Sequence, residues 1–261
     1  MGVRERHSAA QPRHKLILQY ARSKSEIAEA QALRYRVFVE ELGARVASRM
    51  EGTDRDRFDP HCEHLVGRAG GSFEVVGTYR LLPAALAQEI GGFYSEKEFD
   101  LARLFHLRSE LVELGRSCVH PDYRNGATIA LLWSGIGQYL LAHNYRYLIG
   151  SASVSLADGG ANAAALYQQL RQKHLAPVEW HVFPRCPLPR EMLGVDLDHE
   201  ALHRQAIPPL IKGYLRTGAY VCGEPAWDAD FNTADLFMLL PIANLNQRHA
   251  ARFMNACEAA V

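Results

Sequence analysis

The chain has 261 residues, and its 29 lysines and arginines balance its 29 aspartates and glutamates. Hydrophobic residues make up 48% of the sequence and charged residues 22%, which is typical of a folded protein and argues against a disordered chain. The absence of a large positive charge argues against a general nucleic-acid-binding function. The five cysteines lie far apart without a C-x-x-C motif, so we expect neither a disulfide framework nor a zinc ribbon, and a reducing cytoplasm is the simplest compartment.

No segment predicts a membrane span. The longest apolar stretch, residues 130–142, is shorter than the roughly 20 residues that a bilayer requires. Residues 1–13 are polar and basic with no hydrophobic run behind them, so they predict a flexible tail and not a secretory signal. We expect one domain over residues 14–245, including a C-terminal extension, and a terminal helix or tail over residues 246–261.

The sequence of the first half of the chain predicts a strand, a helix and a long loop, followed by two strands joined in a hairpin. An apolar run at 14–20 has the length of a strand, and apolar residues at helical spacing over 25–42 end at Gly43. The charged, aperiodic segment 44–60 predicts a long loop. The hairpin strands are 63–68 and 73–82, separated by residues 69–72.

The second half alternates strands and helices. A short helix is expected near 101–107, strands at 110–119 and 147–153, and helices at 128–143 and 162–174. A proline-dense connector over 177–189 separates these from a helix at 208–216 and strands at 219–222 and 234–240. The mixture indicates the α/β or α+β class.

The most informative unit is the strand at 110–119, its loop and the following helix. Free N–H groups at a helix start attract anions, Gly126 allows close approach of the backbone, and Arg124 offers a donor fork for phosphate. The unit therefore predicts a site for the pyrophosphate of coenzyme A or the phosphate of a phosphopantetheine arm. An ordinary turn with a solvent-exposed arginine is the alternative. The candidate donor-binding residues here are Arg124, Asn125, Gly126, Ala127 and Thr128.

Several segments together resemble the Gcn5-related N-acyltransferase superfamily. Within it, the chain is similar to the acyl-homoserine-lactone synthases and to the bacterial N-acyltransferases that attach a 3-hydroxyacyl chain to ornithine. The matching segments are 33–41 (LRYRVFVEE), 56–59 (DRFD), 76–83 (VGTYRLLP), 91–100 (GGFYSEKEFD) and 113–121 (ELGRSCVHP), with 208–216 (PPLIKGYLR) and 231–235 (FNTAD) resembling the ornithine branch.

The resemblance implies a fold and an activity. The expected fold is a mixed, mostly antiparallel central sheet flanked by helices and splayed at the donor site. The expected reaction moves a 3-hydroxylated fatty acyl group from acyl carrier protein to the α-amine of ornithine, forming lyso-ornithine lipid. No bound cofactor or metal is expected, and the amphiphilic product suggests peripheral contact with the inner membrane face.

Alternatives remain open at this point. The acceptor could be another amino acid, such as glycine, lysine or glutamine. The reaction could be lactone synthesis from S-adenosylmethionine, or the chain could be a non-catalytic acyl-carrier-binding module. Two departures bear on the choice: the phosphate loop has Gly126 one place early with Ile129 at its last position, which suits a carrier-protein donor, and Ala44 stands where lactone synthases have tryptophan.

The resemblance also suggests catalytic roles. Glu113 and Arg116 are the candidate catalytic residues, with Glu113 as the base for the acceptor amine. An ion pair between the two that serves structure alone is the alternative. Residues three apart in a regular strand point to opposite faces, so we predict a bulge at 115–117 that brings Glu113 and Arg116 nearer one face. N–H groups released there, near Ser117, Cys118 and Val119, are candidates for binding the thioester oxygen, and the next strand should splay away.

Acceptor binding is assigned by resemblance to a group around the first helix. Arg34 and Phe38 lie four apart on one helix face, and an arginine there requires carboxylates. Asp56 and Asp59 are available, and Arg80 completes the candidate set. The alternative is a buried ion-pair network that clamps the loop to the helix. The sequence His61-Cys62-Glu63-His64 lacks a second cluster at ligand spacing, so no metal site is predicted.

Overall fold

The computed structural model describes residues 15–46, 48, 50–189, 191–192 and 206–245. The predicted tail at 1–13 and the predicted terminal helix at 246–261 lie outside these ranges. The strands are β1 (Leu16–Tyr20), β2 (Glu63–Ala69), β3 (Val75–Pro83), β4 (Phe99–Asp100), β5 (Leu111–Val119), β6 (Tyr147–Ser155), β7 (Phe183–Pro184), β8 (Tyr220–Val221), β9 (Ala226–Asp228) and β10 (Thr233–Pro241). The α-helices are α1 (Lys24–Tyr35), α2 (Ala84–Glu89), α3 (Gly126–His143), α4 (Ala161–Lys173) and α5 (Pro209–Arg216).

The central sheet has the order β1-β2-β3-β5-β6-β10-β8, and β9 pairs with β10. All of these pairs are antiparallel except β5 with β6, which is parallel. The predicted fold, a mixed and mostly antiparallel sheet flanked by helices, is confirmed. A separate pair, β4 with β7, was not predicted, because two-residue strands leave no periodic pattern.

Alternation along the strands places a core on each face of the sheet. Leu65 of β2 packs in the cluster with Leu132 and Ile136 of α3, whereas its neighbour Val66 packs with Leu33 of α1. Helix α1 therefore covers one face of the first strands, and α3 covers the other. Among the described residues, no helix is long and apolar enough to cross a membrane.

The first helix changes its geometry half-way along. The sequence predicted a single α-helix over 25–42, but α1 ends at Tyr35 and the chain continues as a π-helix over Arg36–Glu41. The N–H of Leu42 donates to the carbonyl of Val37, five residues earlier, at 3.1 Å. This widened turn is typical of functional sites. It redirects the following residues, 42–46, toward the sheet.

Two irregularities open the sheet at its middle. Opposite Tyr79 of β3, both Arg116 and Ser117 of β5 lack a partner, which is the predicted bulge. Strand β5 pairs with β6 only at Leu111–Glu113, and the strands then separate as predicted. At the point of separation a side chain at Gly150 would collide with the carbonyl oxygen of Leu114, so only glycine permits this approach. The separation divides the sheet into an N-terminal half (β1, β2, β3, β5) and a C-terminal half (β6, β8, β9, β10).

Candidate active site

A cavity of about 430 Å³ fills the gap between the two halves of the sheet. Residues 113–117 of β5 form one wall, and Ser151, Ser153 and Asp235 lie on the other. A smaller, mostly apolar cavity of about 30 Å³ adjoins it, and the two share Leu114, Ser151 and Tyr214. The large cavity thus has polar groups near the bulge, and the smaller cavity beside it is mostly apolar.

The end of the π-helix and the residues after it cover the cavity. Phe38, Leu42 and Ala44 contribute to its lining. The ring of Phe38 contacts that of Phe231 edge-on at 5.8 Å, and the N–H of Arg45 donates to the carbonyl of Asp230 at 2.7 Å. This segment therefore bridges from α1 to the C-terminal half of the sheet.

Glu113 lies in the cavity wall with 4% of its surface exposed. Its Oε2 accepts a hydrogen bond from the N–H of Tyr94 at 2.6 Å, and its Oε1 accepts from the N–H of Ser95 at 2.8 Å and from the Ser95 hydroxyl. Burial raises the pKa of Glu113 above its ordinary value, against the opposing effects of these bonds and of Arg80. Since Oε2 accepts only one of these hydrogen bonds, it has a lone pair for a substrate amine or a water.

Arg116 occupies the bulge with a backbone φ of +50°, in the left-handed region that a non-glycine residue rarely adopts. Its guanidinium lies 4.9 Å from the ring centre of Tyr94 and 5.2 Å from that of Phe231. Burial alone would lower the pKa of Arg116, but Tyr94, Asp54 and Asp56 outweigh it and raise the pKa. The bulge therefore holds a permanent cation in the cavity lining, which also includes Glu113.

Three arginines and three aspartates form one network behind this wall. Arg34 is fully buried and pairs with Asp54 and Asp59, each at 2.8 Å. Arg80 Nη1 lies 2.7 Å from Asp56 Oδ1 and 3.4 Å from Asp59 Oδ1. Arg116 joins the network through Nε, 3.0 Å from Asp54 Oδ2, and Nη2, 3.3 Å from Asp56 Oδ2.

The cavity lining shows which of the predicted acceptor residues contact the cavity. Phe38 and Arg80 line it, whereas Arg34, Asp56 and Asp59 do not. Although burial opposes it, the hydrogen bond and charge of Arg34 and the charge of Arg80 lower the pKa of Asp59. The predicted buried ion-pair network, which joins the loop before β2 to helix α1, is therefore present. A role of Arg34, Asp56 and Asp59 in acceptor binding, as the sequence suggested, would act through Arg80 and Arg116.

Three acidic residues on the opposite side were not selected from the sequence as site residues. Carboxyl oxygens of Glu98, Asp228 and Asp235 lie within 4.8 Å of one another, and Asp228 and Asp235 line the cavity. Burial, followed by the charge of Asp235, raises the pKa of Glu98, and burial also raises that of Asp235. The two-residue alternation of polar side chains in 151–155 and 233–235 indicated a polar face on each of these strands, which includes Asp235, but it gave no indication of Glu98 or Asp228.

Comparison with known proteins identifies the family. A model of the acetyltransferase (GNAT) domain matches residues 33–134. The chain is 41% identical to an L-ornithine N(alpha)-acyltransferase of Rhodobacter capsulatus over 89% of this chain and 92% of that protein. It is 38% identical to the enzyme of the same name from Brucella abortus, over 91% of this chain and 88% of that protein.

The chain belongs to the L-ornithine N(alpha)-acyltransferase family. A solved structure of a CoA-dependent acyl-homoserine lactone synthase, BjaI, with MTA shares its fold, with a TM-score of 0.52 and 17% identity over 93% of this chain and 88% of that one. The predicted resemblance to the ornithine branch is confirmed, and the likeness to the lactone synthases is confirmed as one of fold.

In this family member, the predicted phosphate loop lies after β5, outside the lining of the large cavity. The side chain of Asn125 caps α3, accepting hydrogen bonds from the N–H groups of Ala127 at 3.0 Å and Thr128 at 3.1 Å. Arg124 forms a two-point ion pair with Glu41 of the π-helix, at 2.6 Å for each bond. A phosphate group bound by Arg124 and by these N–H groups would have to replace the ion pair with Glu41 and the hydrogen bonds to Asn125.

The residues predicted to bind the oxyanion, 117–119, lie partly in the cavity lining and partly in the core. Ser117 lines the cavity, whereas Cys118 is 5% exposed and packs among the side chains beneath α1. Val119 packs against the core on the α3 side. The bulge at 115–117 therefore lines the cavity, and the side chains of Cys118 and Val119 anchor the strand on either face.

Proposed function

We propose that this protein transfers a 3-hydroxy fatty acyl group from acyl carrier protein to the α-amine of L-ornithine, which forms lyso-ornithine lipid. The observation that carries the proposal is the 38–41% identity over about nine-tenths of the chain to enzymes named for N(alpha)-acylation of ornithine. The carrier-protein donor, a cytoplasmic location and peripheral contact with the inner membrane are parts of the same proposal. The acyl-phosphopantetheine arm is a co-substrate, and no resident cofactor is required.

The chemistry requires a neutral amine beside a thioester. The amine nitrogen attacks the thioester carbon, the C–S bond breaks, and the thiol leaves with the proton that the amine loses. Glu113 is assigned as the base, because its carboxylate is in the cavity wall and burial raises its pKa, which makes it a stronger proton acceptor. Arg116 is assigned to hold the acceptor beside it.

The remaining residues are assigned to the two substrates. Backbone N–H groups at Ser117, Cys118 and Val119 would stabilise the oxyanion. Arg80 and Phe38, both in the cavity lining, would contact the acceptor, with Arg34, Asp56 and Asp59 holding Arg80 in place. The donor phosphate would bind in the loop formed by Arg124, Asn125, Gly126, Ala127 and Thr128.

The test is acylation by the purified protein, with a 3-hydroxyacyl carrier protein and L-ornithine, followed by mass spectrometry of the product. The Glu113→Gln variant should lower kcat by about 10²–10⁴. Glu110→Gln is the matched control, because Glu110 lies just before the same strand and pairs with Arg146 at 3.3 Å. Full activity of Glu113→Gln would remove the base assignment, and failure of the wild-type protein on every acyl thioester and amino acid would remove the proposed function.

A further inference from the structure

The two walls of the large cavity differ in how their ionisable groups are paired. On the N-terminal wall, Arg80 and Arg116 are balanced by aspartates of the buried network. On the C-terminal side, Glu98, Asp228 and Asp235 come together without a cation. In the part of the chain that the structure describes, no ion pair joins any of these three to a lysine, arginine or histidine.

Neutral donors hold the three carboxyl groups in place. The hydroxyl of Ser151 donates to Glu98 Oε2 at 2.9 Å, and that of Thr233 donates to Asp235 Oδ1 at 2.8 Å. Asp228 Oδ1 accepts from the N–H of Asp230 at 2.8 Å and that of Phe231 at 3.1 Å. These bonds fix the oxygens but supply no positive charge, so the three carboxyl groups can all ionise only when a cation lies among them.

The sheet explains why these groups meet. Asp235 of β10 lies opposite Ser153 of β6, and Asp228 of β9 lies opposite Thr233 of β10. Asp235 has 4% of its surface exposed, so the carboxyl group is almost removed from solvent while still lining the cavity. Aspartate is rarely buried to this degree without a charged partner.

The spacing of the oxygens fits a primary ammonium group. For three oxygens within 4.8 Å of one another, some point lies within 4.8/√3, about 2.8 Å, of all of them. Charge-assisted N–H···O bonds are about 2.7–2.9 Å long. An ammonium has three N–H donors, one for each carboxyl group.

We propose that Asp235, Asp228 and Glu98 bind the side-chain ammonium of the acceptor amino acid and so select a diamino acid over a neutral one. The inference rests on the proposed function, in which the acceptor is ornithine. Its α-carboxylate lies toward Arg80 and Arg116, its δ-ammonium lies against the three acids, and the α-amine lies between these two ends, on the side of Glu113.

The experiment compares L-ornithine with L-norvaline, which has the same carbon chain without the δ-amine. The wild-type protein, Asp235→Asn and Asp228→Asn are assayed with one acyl carrier thioester, and the exposed Asp122→Asn is the control. Asparagine retains the oxygen that accepts from Thr233 or from the 230–231 backbone, so each variant loses charge with little change of shape. We expect each variant to raise KM for ornithine at least tenfold, with kcat/KM for norvaline unchanged or higher.

The outcomes separate the inference from the proposed function. If the wild type acylates ornithine but the variants keep its ornithine-to-norvaline ratio of kcat/KM, the inference is wrong and the proposed function stands. If the wild type acylates neither compound, both the inference and the proposed function are wrong. Loss of ornithine acylation in EDTA, restored by Mg²⁺, would assign the acids to a metal ion and overturn the inference.

A calorimetric titration of the wild-type protein keeps the inference testable if the variants do not fold. L-Ornithine should bind at least tenfold more tightly than L-norvaline, and equal affinities would contradict the assignment. The titration requires neither turnover nor a substitution.

Discussion

The two sides of the large cavity hold their ionisable side chains in different ways. On the side of the N-terminal half of the sheet, three arginines from α1, β3 and β5 meet three aspartates of the loop before β2, and the charges cancel. On the side of the C-terminal half, Asp228 and Asp235 meet Glu98 without a cation among the residues described. Balanced burial serves mainly to fix the structure, whereas unbalanced burial beside a cavity indicates a ligand that supplies the missing charge.

The strongest test of the balanced half removes its central cation. Arg34→Met should lower the free energy of unfolding by about 3–5 kcal/mol, because Asp54 and Asp59 lose their buried partner. Urea denaturation followed by circular dichroism measures the change. Arg36→Met is the control, since Arg36 is half-exposed and its ion pair, with Glu74 at 3.0 Å, lies at the surface. Equal losses in the two variants would show that the network does not stabilise the fold.

The dependence of stability on pH should differ in sign between the halves. The pKa values of Asp56 and Asp59 are lowered because their arginines outweigh burial, so their contribution is present above the ordinary carboxyl pKa and lost as the pH falls. Those of Glu98 and Asp235 are raised by burial, so above pH of about 4 the folded state binds more protons than the unfolded state, and stability falls as the pH rises.

Asp235→Asn should therefore flatten the stability profile between pH about 4, the ordinary carboxyl pKa, and pH about 6, because burial raises the pKa of Asp235 to about 6. The slope that one proton contributes there is at most about 1.4 kcal/mol per pH unit. Urea denaturation of the wild type and the variant across this range measures the difference. An unchanged slope in this range would show that Asp235 ionises in the fold as it does in the unfolded chain.

The smallest effect on stability is expected for the partly exposed ion pair between Glu41 of the π-helix and Arg124 of the predicted phosphate loop. Both side chains are partly exposed, so Glu41→Gln should change the free energy of unfolding by only about 0.2–1 kcal/mol. Because the variant frees the guanidinium for the donor phosphate, KM for the acyl carrier thioester should fall about threefold. Glu40→Gln, its exposed neighbour, is the control. A KM that rises with Glu41→Gln would mean that the ion pair itself positions the donor loop.

Local sequence signals predicted much of the fold. Gly115 and the three-residue spacing of Glu113 and Arg116 were enough to predict the bulge, and the strand boundaries followed alternating apolar residues. The π-helix was missed because its apolar spacing differs from that of an α-helix by only one residue. Strand β9, with three residues, was missed because it has too few positions to show alternation.

The candidate site was less predictable because it depends on long-range pairing. Arg34, Asp56 and Asp59 were grouped by resemblance, but Asp54, which pairs with both Arg34 and Arg116, looks in the sequence like any acid of a charged loop. Glu98 and Asp235 are separated by more than a hundred residues, and only the pairing of β6 with β10 brings Ser151, the partner of Glu98, near Asp235. No local pattern carries that information.

The three residue pairs that join β5 to β6 give the two halves of the sheet a fulcrum. Glu113, opposite Ile149, is the last residue of that junction, whereas Ser117 lies four residues beyond it in the same strand. An acyl chain that bent the halves apart would displace each residue in proportion to its distance from the fulcrum. Glu113 would therefore move least of residues 113–117, so that acyl chains of different bulk could enter while the carboxylate kept its place.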